Sequence, residues 1–268
     1  MDTIPFGRRT ICVPTCWNDL SAVQLEALAD LSARRLTAQT LKVHLTLFVL
    51  RLRVTGFGTE HRFCLARGLR HFYLSAVEFH ALTDRLSFVL ERSAKDGTFT
   101  IVSRLTSDPY PHLRHFSSPG DALERLTYEQ FMYAQFYESQ LADNPSSLER
   151  LLACLWHRDS SFNPESVEED SRRLRRLPWQ TRQAMFWYWA GSLDFIRRRF
   201  PRIFSEAGAK TLRRSNVFEE QLRVVDALAG GDMTRKPAVR QGFLYDALLS
   251  MDESLRRQEE RESALKRH

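Results

Sequence analysis

The residues of this chain that could do chemistry are few and scattered. Cys12 and Cys16 stand four apart, and His112 and His115 three apart. A structural zinc site needs four converging thiolate or imidazole ligands, usually as close pairs such as C-x2-C with H-x3-H. Neither pair has that spacing, so packing or surface positions are the expected role. Cys154 and His157 lie three apart on a predicted helix, which would put both on one face. A thiol beside an imidazole is a nucleophile beside its base. Cys154, however, sits in the apolar run LLACLW, and buried thiols are usually inert. Gly56-Phe57-Gly58 lacks the third glycine and the lysine of a phosphate loop, and Gly230-Gly231-Asp232 lacks a Lys-Ser/Thr pair. Neither H-E-x-x-H nor G-x-S-x-G occurs. Glu168-Glu169-Asp170 falls in a polar run, where solvation is the default. These residues imply no catalytic centre, no metal and no cofactor, and the chain reads as a non-enzyme.

One stretch mixes arginines with aromatics. Residues 182–204 end in RRRFPRIF, and guanidinium groups beside rings suit single-stranded nucleic acid, through phosphate contacts and base stacking. On that alternative, Arg197, Arg198 and Arg199 would hold the phosphates. Trp and Arg together would also suit a membrane surface. The packing account is stronger. Phe186, Trp189, Leu193 and Ile196 recur at helical spacing and make a core stripe. The three arginines then occupy the last turn, where cations complement the helix dipole. Nucleic acid is therefore an unfavoured partner.

The elements that must position these residues are mainly helical. IPFGRRTICV (4–13) predicts two short strands around Gly7-Arg8-Arg9. Asn18 or Asp19 is placed to cap a helix over 19–35. A second helix is expected over 38–54, ended by Gly56 and Gly58. Residues 61–73 read as strand or irregular chain. Ser75 with Glu78, and Thr127 with Gln130, have capping-box spacing. The helices they open should run to about 92 and 141 respectively. GTFTIVSRL (97–105) reads as a strand. Ser146 or Ser147 opens a helix ending near Trp156-His157. Residues 158–180 read as a long loop or a lone solvated helix, and 179–199 as the most aromatic helix, stopped by Pro201. Helices over 214–229 and 237–265 follow. The fold class is mainly α, a multi-helix orthogonal bundle with small β elements near residues 4–13 and 97–105. The proline-rich stretch 108–121 suggests two regions, 1–120 and 121–268, which could also form one continuous domain; residues 158–180 are a second candidate boundary.

Composition narrows the class further. A chain of 268 residues with 43% hydrophobic and 27% charged residues can bury a core without staples. The net charge is +6, but 33 acids are interspersed among 39 basic residues. A dedicated nucleic-acid binder usually concentrates its charge in a patch or tail. Four irregularly spaced cysteines imply no disulfide scaffold. Met1 to Thr15 has no apolar run fit for a signal-peptide core. Val43 to Leu50 is far short of the roughly 20 apolar residues that span a bilayer. The expectation is a soluble protein of a reducing cytoplasm. In the last helix Phe243, Leu244, Ala247, Leu248 and Met251 line one side, and charges dominate beyond. Leu248, Met251 and Leu255 fall at i, i+3 and i+7, the pattern of a helix laid in a partner's groove; the alternative, which the charges favour, is a frayed and solvated helix end.

Four stretches together carry a resemblance: VPTCWNDLSAVQLEALADL (13–31), LERLTYEQFMYAQFYESQL (123–141), LERLLACLWHRD (148–159) and LAGGDMTRKPAVRQGFLYDALLSMDESLRRQEE (228–260). Their order resembles uncharacterised proteins of prophage and phage-tail-like loci in Bacteroidetes. Trp156-His157 stands where that group more often has an aromatic followed by Arg, and residues 92–120 match only loosely. The resemblance implies a tail-assembly, chaperone-like or tail-accessory protein with no catalytic residues. It implies partners among tail proteins such as the tape-measure or tube protein, and a place in the bacterial cytoplasm or in the tail-like particle.

Overall fold

A computed structural model describes residues 1–6, 9–34, 36–58, 62–92, 98–159, 161–204 and 217–265. Gly7, Arg8, Arg35, His61, Gly97, Ser160 and the start 214–216 of an expected helix lie outside the described residues. The fold is mainly α: ten α-helices among the described residues, with small antiparallel sheets. The chain divides into two compact units, Met1–Leu105 and Thr106–His268.

The division falls before the proline-rich stretch, not at residue 120. The reason is where that loop satisfies its backbone. Ser117 N donates to His157 O at 2.7 Å and Ala122 N to Thr106 O at 2.6 Å. Leu123 N donates to the Tyr188 hydroxyl at 3.0 Å, and that hydroxyl donates to Gly120 O. Buried backbone groups must find partners, and these partners lie in the second unit. Residues 158–180, the other candidate boundary, fall inside that unit.

In the first unit β1 (Asp2–Phe6) and β2 (Arg9–Val13) pair as an antiparallel hairpin, where the sequence places two strands. A 3-10 turn at Trp17–Asp19 buries Trp17. Helix α1 (Ala22–Ala33) is capped at Ser21, whose N–H donates to Gln24 Oε1 at 2.9 Å. The expected cap Asp19 is otherwise engaged. It accepts from Thr15 N and Thr15 Oγ1, each at 2.8 Å, and from the N-terminal ammonium at 2.9 Å. Those bonds, the Thr15 backbone donor first, hold its carboxyl well below the usual range.

Helix α2 (Ala38–Val49) packs on α1 and is shorter than the sequence predicts. Arg51 takes a φ of 54° and stops it. The β-branched Val54 and Thr55 then join a three-stranded sheet, β3 (Arg53–Phe57), β4 (Phe63–Arg67) and β5 (Arg70–Leu74), in the order β3-β4-β5. The β4–β5 turn uses Gly68 at a φ of +62°, which a side chain would disfavour. Phe63 on the inner face meets Phe79 of α3 (Ala76–Asp84) at 5.1 Å between ring centroids. The Ser75–Glu78 capping box forms as predicted, Glu78 N donating to Ser75 Oγ and Ser75 N to Glu78 Oε2. α3 ends at Asp84 and not near 92. Backbone pairing of β6 (Leu90–Arg92) with β7 (Phe99–Ile101) takes over those residues. Of the strand expected over 97–105, only β7 forms. Leu25, Leu28, Leu45, Leu65, Leu86 and Val89 are fully buried here.

The second unit contains α4 (Tyr128–Ser139), α5 (Ser147–Leu155), α6 (Val167–Leu174), α7 (Trp179–Arg199), α8 (Val217–Leu228), α9 (Lys236–Gln241) and α10 (Leu244–Leu265). α4, opened by the predicted Thr127–Gln130 box, packs against α5, α8, α9 and α10. Its Phe131 lies 5.9 Å from the ring of Trp189 on α7, and Trp156 makes an edge contact with Tyr188 at 5.5 Å. Burying one side chain such as Phe131 contributes about 1.5–3 kcal/mol. α6 is not a solvated helix: Val167, Asp170, Ser171 and Leu174 are buried, and the helix packs on α5. The single helix expected over 237–265 is broken at Gly242. Tyr128 N donates to Gly242 O at 2.9 Å and Leu244 N to Leu126 O at 2.8 Å. This short β-bridge outweighs helical continuity.

Candidate functional site

The C-terminal helix α10 is 22 residues long. Its start is fixed by the Leu244–Leu126 backbone bond and by the Tyr245 hydroxyl donating to Ala122 O at 2.8 Å. Its far half is built from charge pairs one turn apart: Arg256 with Glu253 and Glu260, and Arg257 with Glu253. Such pairs support an exposed helix. The two guanidinium groups, Arg256 first, hold the Glu253 carboxyl down at about 2.

The three expected anchors do not share one environment. Leu248 is 1% exposed and belongs to the core of the second unit, so it cannot be a partner anchor. One turn nearer the body than the others, it reaches the packed layer. Met251 and Leu255 are half-buried, and Phe243 and Leu249 are exposed at 55% and 56%. Arg202 reaches Asp252 and Glu259, each at 3.3 Å, and holds the far half beside the end of α7. The apolar stripe of α10 thus continues past the core, half in solvent, on a helix tethered at both halves.

Arg197, Arg198 and Arg199 are exposed at the end of α7, as their position implies. Arg198 pairs with Asp194 on its own helix. The Arg199 guanidinium stands over the Tyr245 ring at 5.9 Å. Arg197 faces Glu138, whose carboxyl is pushed up by burial and drawn partly back by that charge. The three therefore address different neighbours.

The cysteine and histidine pairs also resolve. Cys154 is fully buried, and burial pushes its thiol well up. α5 ends at Leu155, with Trp156 extended, so His157 lies beyond the helix and shares no face with Cys154. The His157 Nδ1 instead lies 3.0 Å from Asp159 O. Cys12, Cys16, His112 and His115 are exposed. Among the described residues no three His, Cys, Asp or Glu side chains gather as a metal requires. Within Glu168-Glu169-Asp170, solvation fails for Asp170, which is 1% exposed. It accepts from Arg158 Nε at 2.5 Å and Arg158 N at 3.2 Å.

Two features escaped the sequence reading. An open groove of about 640 Å³ in the first unit has Val23, Phe48, Arg51, Leu52 and Arg53 in its lining. Cys64 and His71 meet across the β4–β5 turn. The two-residue turn at Gly68-Leu69 was the available signal, because turn length sets which residues of a hairpin face each other.

Among the described residues no helix is long and apolar enough to cross a membrane. Fold and surface define a mainly α protein with small antiparallel sheets and a long, partly exposed C-terminal helix. Compared with protein-family models, curated proteins and solved structures, the chain matches none.

Proposed function

We propose that this chain is a non-enzymatic protein-interaction factor that docks on its partner through α10. The observation carrying the reading is the half-exposed pair Met251 and Leu255, continued from the buried Leu248 on a helix the body holds in place. Helices that enter a groove present apolar anchors at such spacing, and a tethered helix loses little freedom on binding. The resemblance of residues 13–31, 123–141, 148–159 and 228–260 supports a phage-type tail setting. There the chain acts as an assembly factor or minor tail component, on a tape-measure or tube protein, in the bacterial cytoplasm or the particle. Nucleic-acid binding through Arg197, Arg198 and Arg199 is the weaker proposal, since Arg198 and Arg199 already have partners within the unit.

The test is the double variant Met251→Asp/Leu255→Asp, co-purified with tail proteins encoded in the same locus. Leu248 is untouched, so the circular dichroism spectrum should match wild type. Loss of co-purification by the folded variant is the expected result. Undiminished capture of the same protein overturns the α10 docking reading.

A further inference from the structure

The central strand β4 carries Cys64 on its outer, open face. Cys64 faces Gly56 on one side and Tyr73 on the other, so its backbone is fixed from both directions. His71 is its diagonal neighbour on that face, with Nδ1 3.8 Å from the sulfur. The β3–β4 register slips between Val54 and Gly56, leaving Thr55 as the extra residue of a bulge. A bulge re-aims a side chain that regular alternation would turn away. Here it brings Thr55 Oγ1 to 3.1 Å from Cys64 Sγ and 3.1 Å from Cys64 O. Arg53 stands in the same cross-strand row as Ala66 and His71. His71, Thr55 and Arg53 are exposed and Cys64 is half-buried, so the cluster lies partly in solvent. Reactive thiols are partly exposed, as Cys64 is, unlike the sealed Cys154.

We propose that Cys64 is a reactive thiol, paired with His71 as proton acceptor and Thr55 as hydroxyl donor, that exchanges with low-molecular-weight disulfides. His71 takes the thiol proton as Cys64 Sγ attacks one sulfur of the disulfide. A new S–S bond to Cys64 forms as the old one breaks, and the departing thiolate recovers the proton from His71. Cys64 is oxidised to the mixed disulfide while the disulfide, the oxidant, is reduced to one thiol. The open face makes this a reversible modification site and not a turnover pocket. It is independent of the docking role of α10.

Dipyridyl disulfide is the probe, used on the full chain at pH 7. The released chromophore gives the rate, and mass spectrometry of early time points locates the label. The exposed Cys12 and Cys16 are internal references. Cys64 should react at least about tenfold faster than either, the lower end of what a positioned base contributes. His71→Ala, on an exposed edge-strand position, should bring Cys64 down to the reference rate with an unchanged circular dichroism spectrum. Thr55→Val should slow it while leaving Cys12 and Cys16 unaffected. Labelling of Cys64 no faster than Cys16, or a rate indifferent to both substitutions, overturns the proposal.

Discussion

Tyr188→Phe tests the physical basis of the division into units. The Tyr188 hydroxyl is buried, donates to Gly120 O and accepts from Leu123 N at 3.0 Å. Between those partners the chain takes left-handed backbone at Gly120, Ala122 and Leu123, with φ of 75°, 50° and 65°. Two of these three are not glycine, so the turn persists only because its surroundings hold it. Removing the hydroxyl leaves one buried N–H and one carbonyl without this partner while the ring still fills its site. An orphaned buried group costs about 1–3 kcal/mol; at about 1.5 kcal/mol each, toward the low end of that range, the two together cost about 3 kcal/mol. For a unit of this size that lowers Tm by roughly 6–12 °C. Guanidinium unfolding followed by tryptophan fluorescence measures the loss. Limited proteolysis locates it, with new cleavage expected between 108 and 123. A midpoint matching wild type, with no new cleavage, would refute the role assigned to this hydroxyl.

Three further outcomes follow from burial. Trp189→Ala should destabilise by about 3–5 kcal/mol, because the ring is fully buried against Phe131; a stacking platform in solvent would lose almost nothing, and denaturation midpoints separate the two. Leu248→Ala should cost about 2–5 kcal/mol and Leu255→Ala, half-exposed, less; equal losses in urea titrations would contradict the placement of the α10 stripe. Burial holds the His157 imidazole below its ordinary value of 6.5, so the unfolded chain takes up protons first. Its contribution to stability is therefore present above about 6.5 and lost as pH falls, with a slope of at most about 1.4 kcal/mol per pH unit. His157→Gln should narrow the stability gap between pH 7 and pH 5, and an unchanged gap would exclude this histidine as its source.

Local chemistry was legible in the residues themselves. The Ser75–Glu78 and Thr127–Gln130 boxes form because a cap is a contract between residues three apart, and nothing distant need intervene. The aromatic helix over 179–199 and the β1–β2 hairpin were legible for the same reason: their apolar spacing matches their own period. Where a second segment competes for the same backbone, periodicity misled. Residues 90–92 leave their helical pattern to pair with 99–101, and 242–244 leave theirs to bond to 126–128. Ends of helices are where such bonds are cheapest to exchange, since those groups lack intrahelical partners. Depth is likewise a tertiary property. Leu248, Met251 and Leu255 share a stripe, yet only the first lies under a packed layer, and Asp170 is buried although Glu168 and Glu169 are solvated, because Arg158 is there to meet it. The meeting of Cys64, His71 and Thr55 needs both a hairpin register and a bulge in the next strand. Sequence by itself determined the helical class and the caps, which are local balances of hydrogen bonds and apolar spacing. Only the tertiary structure decided which side chains leave water and which reactive groups meet, because both depend on contacts between residues far apart in the chain.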